Sequence, residues 1–188
     1  MNVCIVNFSG RGTGNCHDIA VVIEKTIHEK GGTVKFIELC DLDISPCGNC
    51  NYNCFKRKED CPFINDDISY IYNLICSSDQ AYYVVPNYCD FPSSLFFIFN
   101  ERSQSYFQND EEMLYHYLGI EKKFVIVSNT EEENFQQAFK YHVSENSELN
   151  LLFLSANNFN KVSIEGGLME SEQAKNIIID YVNDKKSS

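Results

Sequence analysis

Strand-like and helix-like stretches alternate along this chain, and that alternation limits its fold more than any other feature. Met1–Phe8 is a short β-branched run bounded by Ser9 and Gly10. Residues 15–30 carry Ile19, Val22, Ile23 and Ile27 at helical spacing and stop at Gly31-Gly32. Thr33–Leu39 alternates as a strand, and residues 40–64 are irregular and cysteine-rich. Asp66–Ser77 is a helix with Ile68, Ile71 and Ile75 on one face. Gln80–Val85 is a strand that Pro86 is expected to end. Ser93–Arg102 and Asp110–Leu118 read as helices, Lys123–Ser128 as a strand, Glu132–Val143 as a helix, Leu149–Ser155 as a strand and Glu170–Asn183 as the closing helix. Five strands alternating with helices predict an α/β domain built on a doubly wound parallel sheet with helices on both faces. One domain is expected over 1–183, with a cysteine-rich insertion at 40–64 and a disordered tail at 184–188. Ligands of such sheets sit outside the carboxyl ends of the strands, at a switch point.

The loop after the first strand runs Ser9-Gly10-Arg11-Gly12-Thr13-Gly14-Asn15-Cys16. Three glycines let backbone N–H groups turn toward an anion, and the helix that follows presents its N-terminus. Ser9, Thr13 and Asn15 add neutral donors, and Arg11 adds a charged one. The spacing is neither a dinucleotide fingerprint nor a Walker A loop. Two readings stand: a phosphate cradle, or a glycine-rich turn with Asn15 as helix N-cap.

Composition excludes some partners. The 188 residues carry 15 basic and 27 acidic side chains, a net charge of −12, which repels a phosphate backbone. No nucleic-acid partner is expected. Nor is a membrane partner, because no apolar run reaches spanning length. Met1–Phe8 has no basic segment before its apolar stretch, so a cytoplasmic location is expected. Four of the nine cysteines, Cys47, Cys50, Cys54 and Cys61, lie within one short segment. Four thiolates so close can wrap one tetrahedral ion or one iron–sulfur cube, or remain free thiols or a labile disulfide. The Asp66-Asp67 pair that follows is expected to cap the next helix. The four histidines share no spacing, and only His17 adjoins the glycine loop.

The glycine loop resembles the S-x-R-x-x-x-N-[ST] phosphate loop of the NADPH-dependent FMN reductases. Ser9, Arg11 and Asn15 match it, while Cys16 stands where that family usually has a hydroxyl. Pro86, Tyr88, Phe99, Glu101 and Arg102 fit the family's second conserved frame, although Cys89-Asp90-Phe91-Pro92 replaces its small residues after the tyrosine. The four-cysteine segment resembles that of the iron–sulfur flavoproteins, with one extra residue in its second gap.

The resemblance implies a flavodoxin-like fold with strand order 2-1-3-4-5. It implies FMN held by Ser9, Arg11, Thr13, Gly14, Asn15 and Cys16 at the phosphate. Pro86, Asn87, Tyr88, Cys89 and Asp90 would lie at the ring, with Asn129 as a ring-edge contact or, like Thr130, a helix cap. It further implies a [4Fe–4S] cluster on Cys47, Cys50, Cys54 and Cys61, NAD(P)H as co-substrate, and a homodimer or homotetramer. The expected activity is FMN-dependent oxidation of NAD(P)H. Its rivals are a non-enzymatic electron carrier docking a redox partner protein, and a flavin-less structural or sensing relative.

Overall fold

The computed structural model describes residues 1–48, 50–129, 133–145 and 147–184. Thr130 and Glu132, expected at the start of a helix, and Lys185–Ser188 of the expected tail lie outside the described residues. Asp184, placed in that tail by the sequence, instead accepts a hydrogen bond from the buried Lys123 Nζ.

The chain begins with β1 (Asn2–Asn7), α1 (Asn15–Glu29) and β2 (Thr33–Glu38). After the cysteine-rich segment come α2 (Ile68–Cys76), β3 (Gln80–Tyr88), the two-residue β4 (Phe91–Pro92) and α3 (Ser94–Phe107). The last part holds α4 (Glu111–Gly119), β5 (Glu121–Val127), α5 (Glu133–Phe139), β6 (Asn150–Leu154) and α6 (Glu172–Val182). The five long strands are parallel in the order β2-β1-β3-β5-β6, and β4 folds back antiparallel on β3. This is the expected flavodoxin-like sheet.

Strand alternation sends Cys4, Val6 and Phe8 to one face, where α2, α3, α4 and α5 cover them. It sends Val3 and Ile5 to the other face, against Ile19 and Ile23 of α1 and Ile178 of α6. Both faces are therefore apolar and covered, as a parallel sheet requires.

Three element boundaries differ from expectation. Pro86 does not end β3, which runs on to Tyr88. Phe8 N–H bonds the Val84 carbonyl, so the ladder would next hand the Phe8 carbonyl an N–H from residue 86. Proline has none, and the Ser93 hydroxyl donates to that carbonyl instead, at 2.6 Å. Helix α3 continues past Arg102 because Tyr106 and Phe107 extend its buried face. The α5 helix stops at Phe139 and passes into a 3-10 turn at Lys140–His142, which buries His142.

Candidate functional site

The chain leaves β1 toward β2 on one side of the sheet and later enters β3 on the other. The loops after β1 and β3 therefore flank a switch point. A cleft of about 250 Å³ opens there. Its walls include Ser9, Arg11, Thr13, Asn15 and Cys16 from the first loop. Pro86, Asn87, Tyr88, Cys89 and Asp90 come from the third strand and its turn, and Asn129 from the end of β5. Of the expected cofactor residues only Gly14 is not in the wall.

Gly14 acts through the backbone. It is the N-cap of α1, with φ at 106°, a conformation open to glycine and strained for other residues. Among the described residues no side chain caps this helix, so its first-turn N–H groups, which have no intrahelical acceptor, face the loop for an anion. Asn15 is thus not the N-cap. Its Nδ2 donates to the Ser163 carbonyl at 2.9 Å, and its Oδ1 accepts Leu168 N–H at 2.9 Å. One amide hydrogen is left for the cleft. Cys16 is buried against the α1–α6 core, and burial pushes its thiol up to about 12, with Glu38 and Asp18 adding to that and Arg11 opposing it. At neutral pH it is a thiol, a weak donor.

The loop is built from two local turns. Asn7 Oδ1 accepts Ser9 N–H at 3.0 Å, and Ser9 Oγ accepts Arg11 N–H at 3.1 Å. The Arg11 side chain is exposed, and among the described residues in the cleft wall it is the one cation.

The opposite wall is a tight hairpin rather than an open strand-to-helix loop. Tyr88 pairs with Phe91 and Asn87 with Pro92, leaving Cys89 and Asp90 as the two turn residues. Both have positive φ, 53° and 67°, as a type I′ turn demands. Asn87 Oδ1 accepts Asp90 N–H at 2.8 Å, and Asn87 Nδ2 donates to Ser128 Oγ at 2.6 Å. Tyr88 keeps 47% exposure, so an aromatic face is available beside the cleft.

Val127, Ser163 and Ile164 join the wall outside the expected set, beside Ser128 of the loop after β5. The Ser163–Ile164 turn is held by Asn15 and by Asn129, whose Nδ2 donates to Ser163 Oγ at 3.3 Å. Asn129 Oδ1 also accepts from Ser155 Oγ and Asn157 N–H, so it ties loops together. The signal for this turn was Gly166-Gly167, both with positive φ, just before a 3-10 turn at Leu168–Glu170.

The cysteine-rich segment is strapped across α3. Arg102 of α3 is buried and bonds both oxygens of Asp66, with its Nη1 on the Ser45 carbonyl at 2.7 Å and its Nη2 on the Phe63 carbonyl at 3.1 Å. Glu101 accepts Cys47 N–H at 2.7 Å. Asp66 therefore holds Arg102 more than it caps α2, though its Oδ1 also accepts Ile68 N–H at 3.2 Å; Asp67 accepts Asp43 N–H.

Burial raises the thiols of Cys47 and Cys54, and charge on Cys50 or Cys61 would raise them further. No three Cys, His, Asp or Glu side chains converge to hold a metal ion among the described residues. Cys47 Sγ is drawn toward the Glu101 carbonyl, and the extra residue in the second gap places Cys54 on a separate 3-10 turn, Asn53–Phe55. Among the described residues the four thiols are not brought together as a cluster or zinc site.

Fold and cleft define a flavodoxin-like α/β domain with an anion-receptive loop at its switch point. No protein-family model matches the chain. An iron–sulfur flavoprotein of Clostridioides difficile (strain 630) is 29% identical over 105 residues, covering 55% of this chain and 46% of that protein. The match thus spans about half the length of the curated relative. RosB, solved with bound 8-demethyl-8-formylriboflavin-5'-phosphate, superposes with a TM-score of 0.70 at 11% identity, over 98% of this chain and 77% of that one. An FMN-dependent NADH-azoreductase of Bacillus anthracis str. Ames Ancestor, in complex with FMN, superposes with a TM-score of 0.64 at 10% identity over 100% of both chains. The resemblance drawn from the glycine loop and the cysteines is met in both parts: a relative named as an iron–sulfur flavoprotein, and flavoenzymes of the same fold. No helix among the described residues is long and apolar enough to cross a membrane.

Proposed function

We propose that the domain binds FMN in this cleft and serves as an NAD(P)H-dependent oxidoreductase. One observation carries the proposal: a single cleft joins an uncapped helix N-terminus and Arg11 on one wall to the exposed face of Tyr88 on the other. The first wall suits a phosphate and the second a flat ring. When bound, the flavin would supply hydride and single-electron chemistry that no side chain here can perform.

The protein's own residues bind and orient. Backbone N–H groups of the first turn of α1, the Ser9 hydroxyl and the Arg11 guanidinium receive the phosphate. Cys16 contributes its N–H and little through its side chain. Pro86 to Asp90 line the ring, and Asp90 sets a negative charge beside it, which disfavours an anionic ring. Hydride transfer asks for no dedicated general acid or base, and none is assigned.

The cleft lies just under the range of about 300–1,000 Å³ for enclosed ligand sites. Tyr88 and Ile164 stand exposed at its lip. A second subunit covering that lip is part of the proposal, as a homodimer or homotetramer. All nine cysteines are free, which suits a reducing cytoplasm. No step is routed through a cluster.

The test is FMN titration of the anaerobic protein, followed by NADH and NADPH oxidation. Arg11→Ala should weaken FMN binding by about 10–100-fold, the worth of a charge-assisted hydrogen bond. Unchanged affinity would mean the phosphate lies elsewhere. FMN binding with rapid photoreduction but no NAD(P)H turnover would favour an electron carrier docked to a partner protein. Failure to bind FMN would leave the structural or sensing reading.

A further inference from the structure

Glu38 is absent from the cleft wall, yet it stands beneath the loop that forms it. It is the last residue of β2 and the register partner of Asn7, the last residue of β1. Its side chain is 15% exposed, and both of its oxygens are engaged. Oε2 accepts Asn7 Nδ2 at 2.7 Å, and Oε1 meets His17 Nδ1 at 2.6 Å. His17 belongs to the first turn of α1. One carboxylate therefore holds the strand that enters the glycine loop and the helix that leaves it.

The hold on Asn7 has a definite consequence. A carboxylate only accepts, so it must face the NH₂ end of the Asn7 amide. That leaves Asn7 Oδ1 turned to the loop, where it accepts Ser9 N–H at 3.0 Å. Ser9 is then placed so that its Oγ accepts Arg11 N–H at 3.1 Å. Take away Glu38, and only the Ser9 N–H still favours one end of the Asn7 amide. The other end would offer the Ser9 N–H a second donor.

We infer that Glu38 is a positioning residue that sets the glycine loop for a phosphate group, acting through Asn7 and Ser9 on one side and His17 on the other, and so sets the preference for a phosphorylated ligand over its dephosphorylated form. This rests on the reading of the cleft as a flavin-phosphate site. Glu38 touches no ligand. Both of its oxygens are engaged by Asn7 and His17.

The test compares FMN with riboflavin, which lacks the phosphate, by fluorescence titration of the wild-type protein, Glu38→Val and Glu38→Gln. Valine suits an edge strand and keeps β2 intact. Glutamine can still accept from Asn7 and donate to a His17 nitrogen, so it should restore the loop. The expected result is a preference for FMN in the wild type that falls about tenfold or more in Glu38→Val, with riboflavin affinity unchanged, and returns in Glu38→Gln. An unaltered FMN-to-riboflavin ratio in Glu38→Val overturns the inference. So does a parallel loss of both ligands, which marks a merely structural role. A wild-type protein that binds the two flavins equally would instead sink the phosphate-site reading itself. Should Glu38→Val fail to fold, His17→Leu removes the helix-side contact from a partly exposed position and carries the same expected fall in ratio.

Discussion

Cys89 and Asp90 both hold a left-handed backbone conformation, which Asp tolerates better than Cys. Consecutive left-handed residues are needed to reverse β3 into β4 with only two residues between them. The sequence shows Asp-Phe-Pro here and none of the Asn-Gly or Asp-Gly pairs that announce such a turn, so the hairpin was legible only as a loop. Asp90→Gly relieves one left-handed side chain, worth about 1 kcal/mol. For a chain of this size that should raise the melting temperature by roughly 2–4 °C, read by calorimetry. A lower melting temperature would show that the Asp90 side chain makes a compensating contact. Asn15 teaches the opposite lesson. Its match to a phosphate-loop pattern was visible, but its grip on Ser163 and Leu168, about 150 positions away, was not.

Among the elements, α3 does the most to join the cysteine-rich segment to the sheet. Arg102 is 1% exposed and is met by Asp66 and by the Ser45 and Phe63 carbonyls. A buried guanidinium left without its carboxylate costs about 3–5 kcal/mol. Asp66→Ala should therefore lose stability of that order in urea unfolding. It should also expose the segment, with faster tryptic cleavage at Lys56, Arg57 and Lys58. Wild-type cleavage rates in a destabilised variant would show that the segment is held by other contacts. The pattern Phe99, Glu101, Arg102 was noticed in the sequence as part of a family frame. Its structural work, anchoring the segment, needed the fold to bring Asp66 and Arg102 together. The same holds for β3, whose passage through Pro86 depends on the Ser93 hydroxyl arriving from the start of α3.

At the scale of the whole molecule two of the buried basic side chains, His142 and Lys122, together shape the response to pH. Burial, with Lys122 adding to it, lowers His142 from its ordinary 6.5 to about 3, and burial lowers Lys122 from 10.5 to about 7. The unfolded chain binds the His142 proton between about 6.5 and 3 while the folded chain does not. The contribution of neutral His142 is therefore complete above 6.5 and is lost as pH falls toward 3. For Lys122 the unfolded chain is the more protonated from about 7 to 10.5, so stability also rises across that window. The urea midpoint should climb from pH 4 to 6.5 in the wild type. His142→Phe should flatten that climb, whatever fixed cost it adds by leaving the Tyr117 hydroxyl without its 2.6 Å partner. An equally steep climb in the variant would assign acid sensitivity to other groups.

At this same scale the sequence by itself determined the class of fold and pointed to the loops that line the cleft. Alternating apolar periods of two and of three to four residues leave a covered parallel sheet as the arrangement that buries both faces, and a glycine loop between a first strand and a first helix lies at its carboxyl edge. Only the tertiary structure decided what each polar group in that loop is free to do. Asn15 is engaged by the Ser163–Leu168 turn, Glu38 by Asn7 and His17, and Cys47 by Glu101. Each partner is distant along the chain, and hydrogen bonds between such residues follow from the packing of elements, which local patterns do not encode.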